Sequence, residues 1–291
     1  MFTQSRSRQL SFTFLAVLLA LSTLLLITSL TLARPTDTII VNPGDSIQAA
    51  IDAASPGDTI VINAGMYTES LTLNKPISLT GVNSATVIVH AMPNQRVLTV
   101  TGSAIDASVI ISGLTFTGGN AAGEVTWDSC PAACGGGVLI TDTAQPQLQN
   151  VFIASNHASE VGGGLYTDGP LTLTGVVFLS NSVQLGGGGV YLGGVATINF
   201  GRFENNLCTS TGSRCLGGGL FAAKTVAINH SYFLSNTVQG GAPSVGGGGG
   251  YAYRAATVTD SIFEANRCTD CLGGGLFAFT TLTATSLPDT F

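Results

Sequence analysis

The chain has 291 residues, 45% of them hydrophobic and only 9% charged, with 38 glycines and six cysteines. Glycine at about twice ordinary usage, beside abundant Val, Ile and Thr, excludes a disordered Gly/Ser linker and suits many short strands joined by tight turns. Beyond residue 33 eight basic side chains stand against sixteen acids, 8 − 16 = −8, so there is no electrostatic footprint for DNA or RNA and no nucleic-acid partner is expected.

Arg6 and Arg8 precede an uncharged stretch, residues 12–32, within which residues 14–21 and 24–27 are almost purely apolar. Thr31-Leu32-Ala33 then places small residues at −3 and −1 of a cleavage site. Residues 1–33 therefore read as a signal peptide cut after Ala33 or, at about 20 apolar residues, as an uncleaved membrane anchor. Both predict an exported remainder, residues 34–291, secreted or held at the cell surface or outer membrane. Contact with a membrane is expected only through this segment, if it stays. The lack of a nearby cysteine excludes a lipoprotein signal.

The next elements are legible one by one. Thr38–Val41 reads as a strand. Ser46 N-caps a short helix with Ile47, Ala50, Ile51 and Ala54 on one face, stopped by Pro56-Gly57. That face is suited to cover the open end of a coil of strands. Strands are predicted at Thr59–Ile62, Leu71–Leu73 and residues 77–80.

From residue 135 to 278 two blocks alternate. One is a glycine cluster followed by an apolar pair: Gly162-Gly163-Gly164-Leu165-Tyr166, and likewise before Val190-Tyr191, Leu220-Phe221 and Leu276-Phe277. The other is Phe-x-x-Asn, ending at Asn181, Asn206, Asn236 and Asn266, with an imperfect copy from Ile153 to Asn156. The asparagines are spaced 25, 25, 30 and 30 residues apart, as one solenoid turn with a variable loop should be. Alternating segments lie between, for example residues 171–178, read as one strand. Asn tolerates left-handed dihedrals, so an Asn at each corner is expected to turn the chain and to bond its counterparts above and below in a ladder. The phenylalanines then stack in one internal column. The predicted fold is all-β, a single-stranded right-handed parallel β-helix with a short N-terminal capping helix. About 250 residues at about 25 per turn make about ten rungs.

Residues 45–62, with Gly65-Met66-Tyr67 and Leu79-Thr80-Gly81, resemble the opening coil of pectate-lyase-like β-helix proteins. The blocks of residues 135–278 resemble the polymorphic outer membrane protein repeat. That resemblance implies a secreted or surface-displayed β-helix linked to adhesion. Members of that family often end in a translocating outer-membrane barrel, whereas here about a dozen residues follow Phe277, too few for one. Phe291 is similar to a barrel's last residue. A truncated gene or a short family member is the expectation.

Six cysteines fall in local pairs just before glycine blocks: Cys130 with Cys134, Cys208 with Cys215, Cys268 with Cys271. In an exported chain these are disulfide candidates pinning loops. Free thiols and zinc, for which Cys268-Thr269-Asp270-Cys271 is a lone motif, stay open as alternatives. No cofactor, metal or catalytic constellation is predicted. Asp142, Glu160, Asp168, Glu204, Asp260, Glu264 and Asp270 read as dispersed. Arg202, Lys224 and Arg254 hold unrelated repeat positions, and His90, His157 and His230 stand alone. Glycosidic hydrolysis needs two carboxylates about 5–9.5 Å apart. Glu204 and Glu264 share a repeat position two rungs apart, about 10 Å. If the aliphatic residue of each glycine block points inward, Tyr166, Tyr191, Phe221 and Phe277 form an exposed ligand stripe, broken at Ala252, for sugar faces or a partner surface. The expectation is a non-catalytic adhesive or envelope protein meeting glycans or a host or neighbouring cell surface. Polysaccharide processing (lyase or hydrolase) or glycan binding is the alternative.

Overall fold

The computed structural model describes residues 35–123, 130–141, 143–210, 215–240, 244–269 and 271–286. The proposed signal or anchor, residues 1–33, lies outside them, as do Asp142, Asp270 and Phe291. The chain divides into residues 1–36 and residues 37–291, and the second unit is the solenoid.

The solenoid is a right-handed parallel β-helix in which every strand pairing is parallel. A single coil shows the plan. Leu171–Thr174 lies in the first sheet, Val177–Leu179 in the second, Ser182–Val183 in a short fourth sheet and Val190–Leu192 in the third. The first sheet stacks ten strands, the second and third eight each, and the short one six. Complete coils are therefore somewhat fewer than the ten expected. Residues 171–178, read from sequence as one strand, are two strands on different faces. Gly175, at φ 63°, makes the corner between them.

Alternation fills the coil. Ile60, Leu79, Ile111, Leu148, Leu173, Ile198 and Ile228 point inward from the first sheet and are buried. From the second, Phe178, Phe203, Phe233 and Phe263 stack with centroids 5.0, 4.3 and 4.5 Å apart. The asparagines run beside this column. Asn156 Nδ2 donates to Asn181 Oδ1 at 3.1 Å, Asn181 to Asn206 at 3.0 Å, Asn206 to Asn236 and Asn236 to Asn266 at 2.9 Å. Each Nδ2 also donates to a carbonyl of the preceding coil, such as Asn206 to Phe178 at 2.9 Å. The backbone conformation expected of these asparagines needs correction. The left-handed residue is the one before each Asn: Ser155, Ser180, Asn205, Ser235 and Ala265, at φ 51–56°. An Asn held by backbone and side-chain bonds on both sides is not needed for the turn as well, and the exposed neighbour takes it.

The glycine blocks belong to the ladder. Gly187 turns the chain at φ 66°. A Cβ on Gly188 would lie 2.3 Å from the Gly218 carbonyl oxygen, and one on Gly189 would lie 3.2 Å from Asn206 Cγ. One glycine turns, the next permits backbone contact, and the third passes over the ladder amide, so the two sequence blocks recur together.

The N-terminal end is closed by the helix Ile47–Ala53, which buries Ile47, Ala50 and Ile51. Ser46 Oγ accepts from Ala49 N at 3.1 Å. The Glu69 carboxylate accepts from the amides of Ile47 and Gln48, at 2.9 and 3.0 Å. At the other end Lys75 Nζ donates to the Ile51, Asp52 and Ala54 carbonyls at 3.1, 2.6 and 3.0 Å. Acid at the N-terminus and base at the C-terminus both match the helix dipole. Gln48 meets the exposed edge of Leu71–Leu73, accepting from Thr72 N at 2.8 Å.

Candidate functional site

The outward positions of the third sheet form one continuous column. Register aligns Thr72 with Thr99, Thr99 with Leu139, and Leu139 with Tyr166. Tyr191, Phe221, Tyr251 and Phe277 continue it. The rings stack with centroids 5.1, 4.8, 5.4 and 5.6 Å apart in that order. Two expectations are corrected. The stripe is not broken at Ala252, because Gly250, the last of the glycines at 246–250, takes the aliphatic place and brings Tyr251 into the column. Nor is it an open platform. Tyr166, Tyr191, Phe221 and Phe277 are half-buried and Tyr251 is buried. Cys130, Cys134, Val161 and Leu185 pack with Tyr166 and Tyr191. Burial, then the neighbouring Tyr191, Asp168 and Glu160, push the Tyr166 phenol up to about 12. Tyr191 is raised by burial and Glu160.

At the N-terminal end of the same column lies an open groove of about 330 Å³. Ser70, Thr72, Asn94, Gln95, Thr99 and Asn120 line it with neutral hydrogen-bonding groups. Asn120 Nδ2 donates to Asn94 Oδ1 at 3.4 Å, while Asn120 Oδ1 is a buried acceptor with no partner among the described residues. Arg96 stands at the wall, where its Nη2 donates to the Cys134 carbonyl at 3.1 Å, and burial lowers its pKa. No carboxylate lines the groove among the described residues. Sequence reasoning missed these residues because they precede the regular repeat. The available signal was Gln95-Arg96-Val97, standing where later coils carry the glycine block.

The cysteines are joined as Cys130–Cys134, Cys208–Cys215 and Cys268–Cys271, with Cα atoms 5.0, 5.8 and 5.6 Å apart. Glu160 lies close enough to Cys130 and Cys134 to complete a three-ligand set, but sulfurs bonded to one another are not thiolate ligands. Cys208 and Cys215 are buried in a satellite cluster with Ala158, Val183 and Val238, and so hold loop to solenoid.

The acids expected to be dispersed are partly gathered on the second sheet. Arg202, Tyr232 and Ile262 share one outward column, and Glu204, Leu234 and Glu264 the next. Arg202 Nε pairs with Glu204 Oε1, and Tyr232 Oη donates to Glu264 Oε2 at 2.6 Å. That hydrogen bond, burial and the nearby Glu264 and Glu204 charges raise the Tyr232 pKa against the pull of Arg202. At the adjoining corner His230 stacks on Phe200 at 5.2 Å and lies 3.5 Å from Asp260. His230 therefore does not stand alone. His157 bonds Ser182 Oγ at 2.9 Å, with its pKa lowered by burial, and His90 bonds the Ala91 carbonyl at 2.9 Å. Asp168 is an exposed loop residue beside Tyr166. Arg254 lies over the Tyr253 ring at 5.3 Å, and Lys224 is exposed.

No protein-family model and no curated protein matches the sequence. Among solved structures the chain is similar to a pectin methylesterase from Erwinia chrysanthemi, at 12% identity and TM-score 0.50, over 88% of this chain and 94% of that one. It is also similar to a carrot pectin methylesterase, at 12% identity and TM-score 0.46, over 90% and 86%. The pectate lyase Pel9A aligns at 14% and 0.45, over 88% and 78%. At these identities the likeness is one of fold. The right-handed parallel β-helix stands, while no family model supports the outer membrane repeat.

Proposed function

We propose that the chain is an exported β-helix that binds polysaccharide in the groove at the head of the third sheet. The observation that carries this is the groove itself: neutral hydroxyls and amides around a buried, unpartnered Asn120 Oδ1, at the end of a column of stacked rings. Its volume falls within the usual range for ligand sites, about 300–1,000 Å³. Side-chain amides and hydroxyls recognise sugar hydroxyls. Three disulfides support an oxidising, extracytoplasmic location. The Erwinia protein of the same fold is named for pectin, but fold alone does not carry function. Among the described residues no carboxylate lines the groove, and the function proposed for it is binding. Glycan-array profiling of the chain without residues 1–33, beside Thr99→Lys and Asn120→Leu variants, tests it. Retention of oligosaccharides by the parent chain and loss in both variants is expected. Equal retention by all three removes the groove from the function.

One observation favours a second reading, polysaccharide cleavage on the second sheet. Arg202 accompanies two carboxylates, Glu204 and Glu264, on one outward face. Two rungs separate them by about 10 Å, just beyond the range of about 6.5–9.5 Å for an inverting pair. Reducing-sugar and unsaturated-product assays decide this, because release of either product that Glu264→Gln abolishes would establish it.

A further inference from the structure

The outer face of the first sheet differs from both sites above. Each strand turns two side chains outward, and successive strands pair without a register shift from Thr38–Val41 to Leu282–Thr285. The result is two parallel columns. Thr172 and Thr174 lie over Thr197 and Asn199, and two coils further on stand Thr257 and Thr259. Neither column contains a charged or aromatic residue. The departures from Thr, Ser, Asn and Gln are small or aliphatic: Ile40, Val61, Ile110 and Ala227. By contrast, the second sheet carries Arg202, Glu204 and Glu264 on its outer face.

The array is held rigidly from within. Backbone ladders fix the spacing at about 4.8 Å across strands and about 6.6 Å between alternate residues along them. The asparagine ladder and phenylalanine column lock successive coils from below. On the face itself Asn229 Nδ2 donates to Asn199 Oδ1 at 3.0 Å, and the Thr259 and Thr285 hydroxyls are 3.3 Å apart. Thr172, Thr174, Thr197 and Thr257 make no side-chain hydrogen bond to the protein among the described residues.

A hydroxyl gains nothing by bonding one liquid water rather than another. It selects a solid over a liquid only when many hydroxyls sit at fixed two-dimensional intervals. Charges would impose hydration shells of their own, and this face has none. Threonine adds a methyl beside each hydroxyl, so water between the columns is confined rather than randomly bonded. We infer that the outer face of the first sheet is an ice-binding surface, whose threonine-rich columns hold water in lattice order. This is independent of the groove.

The test is partitioning of the chain without residues 1–33 into slowly grown ice, with thermal hysteresis measured on the same samples. Thr174→Lys and Thr197→Lys alter the centre of the array, and Val177→Lys on the second sheet is the control. Parent and control should enter the ice and show hysteresis, while both array variants fall to the level of an inert protein at unchanged circular dichroism. Exclusion of the parent from ice overturns the inference, as does entry of the lysine variants equal to the parent's. Sedimentation with crystalline cellulose that the lysine variants abolish, without entry into ice, overturns it in favour of a polysaccharide face. Should the lysine variants melt early, Thr197→Ser decides: reduced hysteresis supports the array, and unchanged hysteresis overturns it.

Discussion

Replacing Asn206 by Ala removes the middle rung of the asparagine ladder. Asn206 Oδ1 accepts from both the backbone amide and Nδ2 of Asn181 at 3.0 Å, and its Nδ2 donates to the Phe178 carbonyl and Asn236 Oδ1 at 2.9 Å. Two of the four partners keep another bond: Asn181 Nδ2 with the Ile153 carbonyl, and Asn236 Oδ1 with Asn206 N. The Phe178 carbonyl keeps its ladder position between paired strands, whereas the Asn181 amide loses its bond in a site closed to water. At about 1–3 kcal/mol for a buried unsatisfied group, the variant should lose about 1–3 kcal/mol. For a domain of this size that lowers the Tm by about 2–12 °C. Asn266 makes the same kinds of bond but is half-exposed, so water can replace them. Asn266→Ala should cost no more than about 1.5 kcal/mol. Calorimetry gives both shifts, and amide exchange shows whether Asn181 N–H loses protection in the first variant. Equal shifts, or an Asn206→Ala shift within the ordinary surface range of about 0.5 kcal/mol, would refute the ladder as a source of stability.

Gly188→Ala forces a Cβ to 2.3 Å from the Gly218 oxygen and 2.7 Å from the Leu207 oxygen. It should cost about 3 kcal/mol, whereas Gly169→Ala, with nothing nearer than 3.7 Å, should melt with the parent. Ultraviolet titration should show Tyr166 ionising near 12. Its neutral form is favoured by folding, so that stabilisation is whole below the unfolded pKa of about 10 and disappears as pH climbs through the folded value. Tyr166→Phe should flatten this alkaline loss, and an unchanged slope of Tm against pH above 10 contradicts the burial described. Replacing Cys208 and Cys215 together by Ser opens a loop with sequence separation 7. The chain-entropy limit for so short a loop is about 2.5 kcal/mol, so denaturant unfolding should show a loss no larger than that.

Much of the architecture was legible before any coordinates. The recurrence of Asn156, Asn181, Asn206, Asn236 and Asn266 announces a solenoid, because a polar residue repeated every 25 or 30 residues beside an apolar one has satisfied partners only in a stack. The capping helix was legible for a local reason, since Ser46 and the Ile47, Ala50, Ile51 spacing act within a few residues. Its partners Glu69 and Lys75 were not, because they arrive from the following coil.

The sites depended on three-dimensional register. Whether an outward ring is exposed is decided by the loop above it, so a correct alternation for Tyr166 and Tyr191 could not reveal that Val161 and Leu185 cover them. Tyr251 holds its place in the column because Gly250, not Tyr251, pairs with Leu220. Arg202 and Tyr232, 30 residues apart in sequence, became neighbours through strand pairing. Local chemistry and periodicity in this chain determine which side chains face inward. Which outward side chains meet, and which remain open to a ligand, depends on how far each loop reaches before its coil closes.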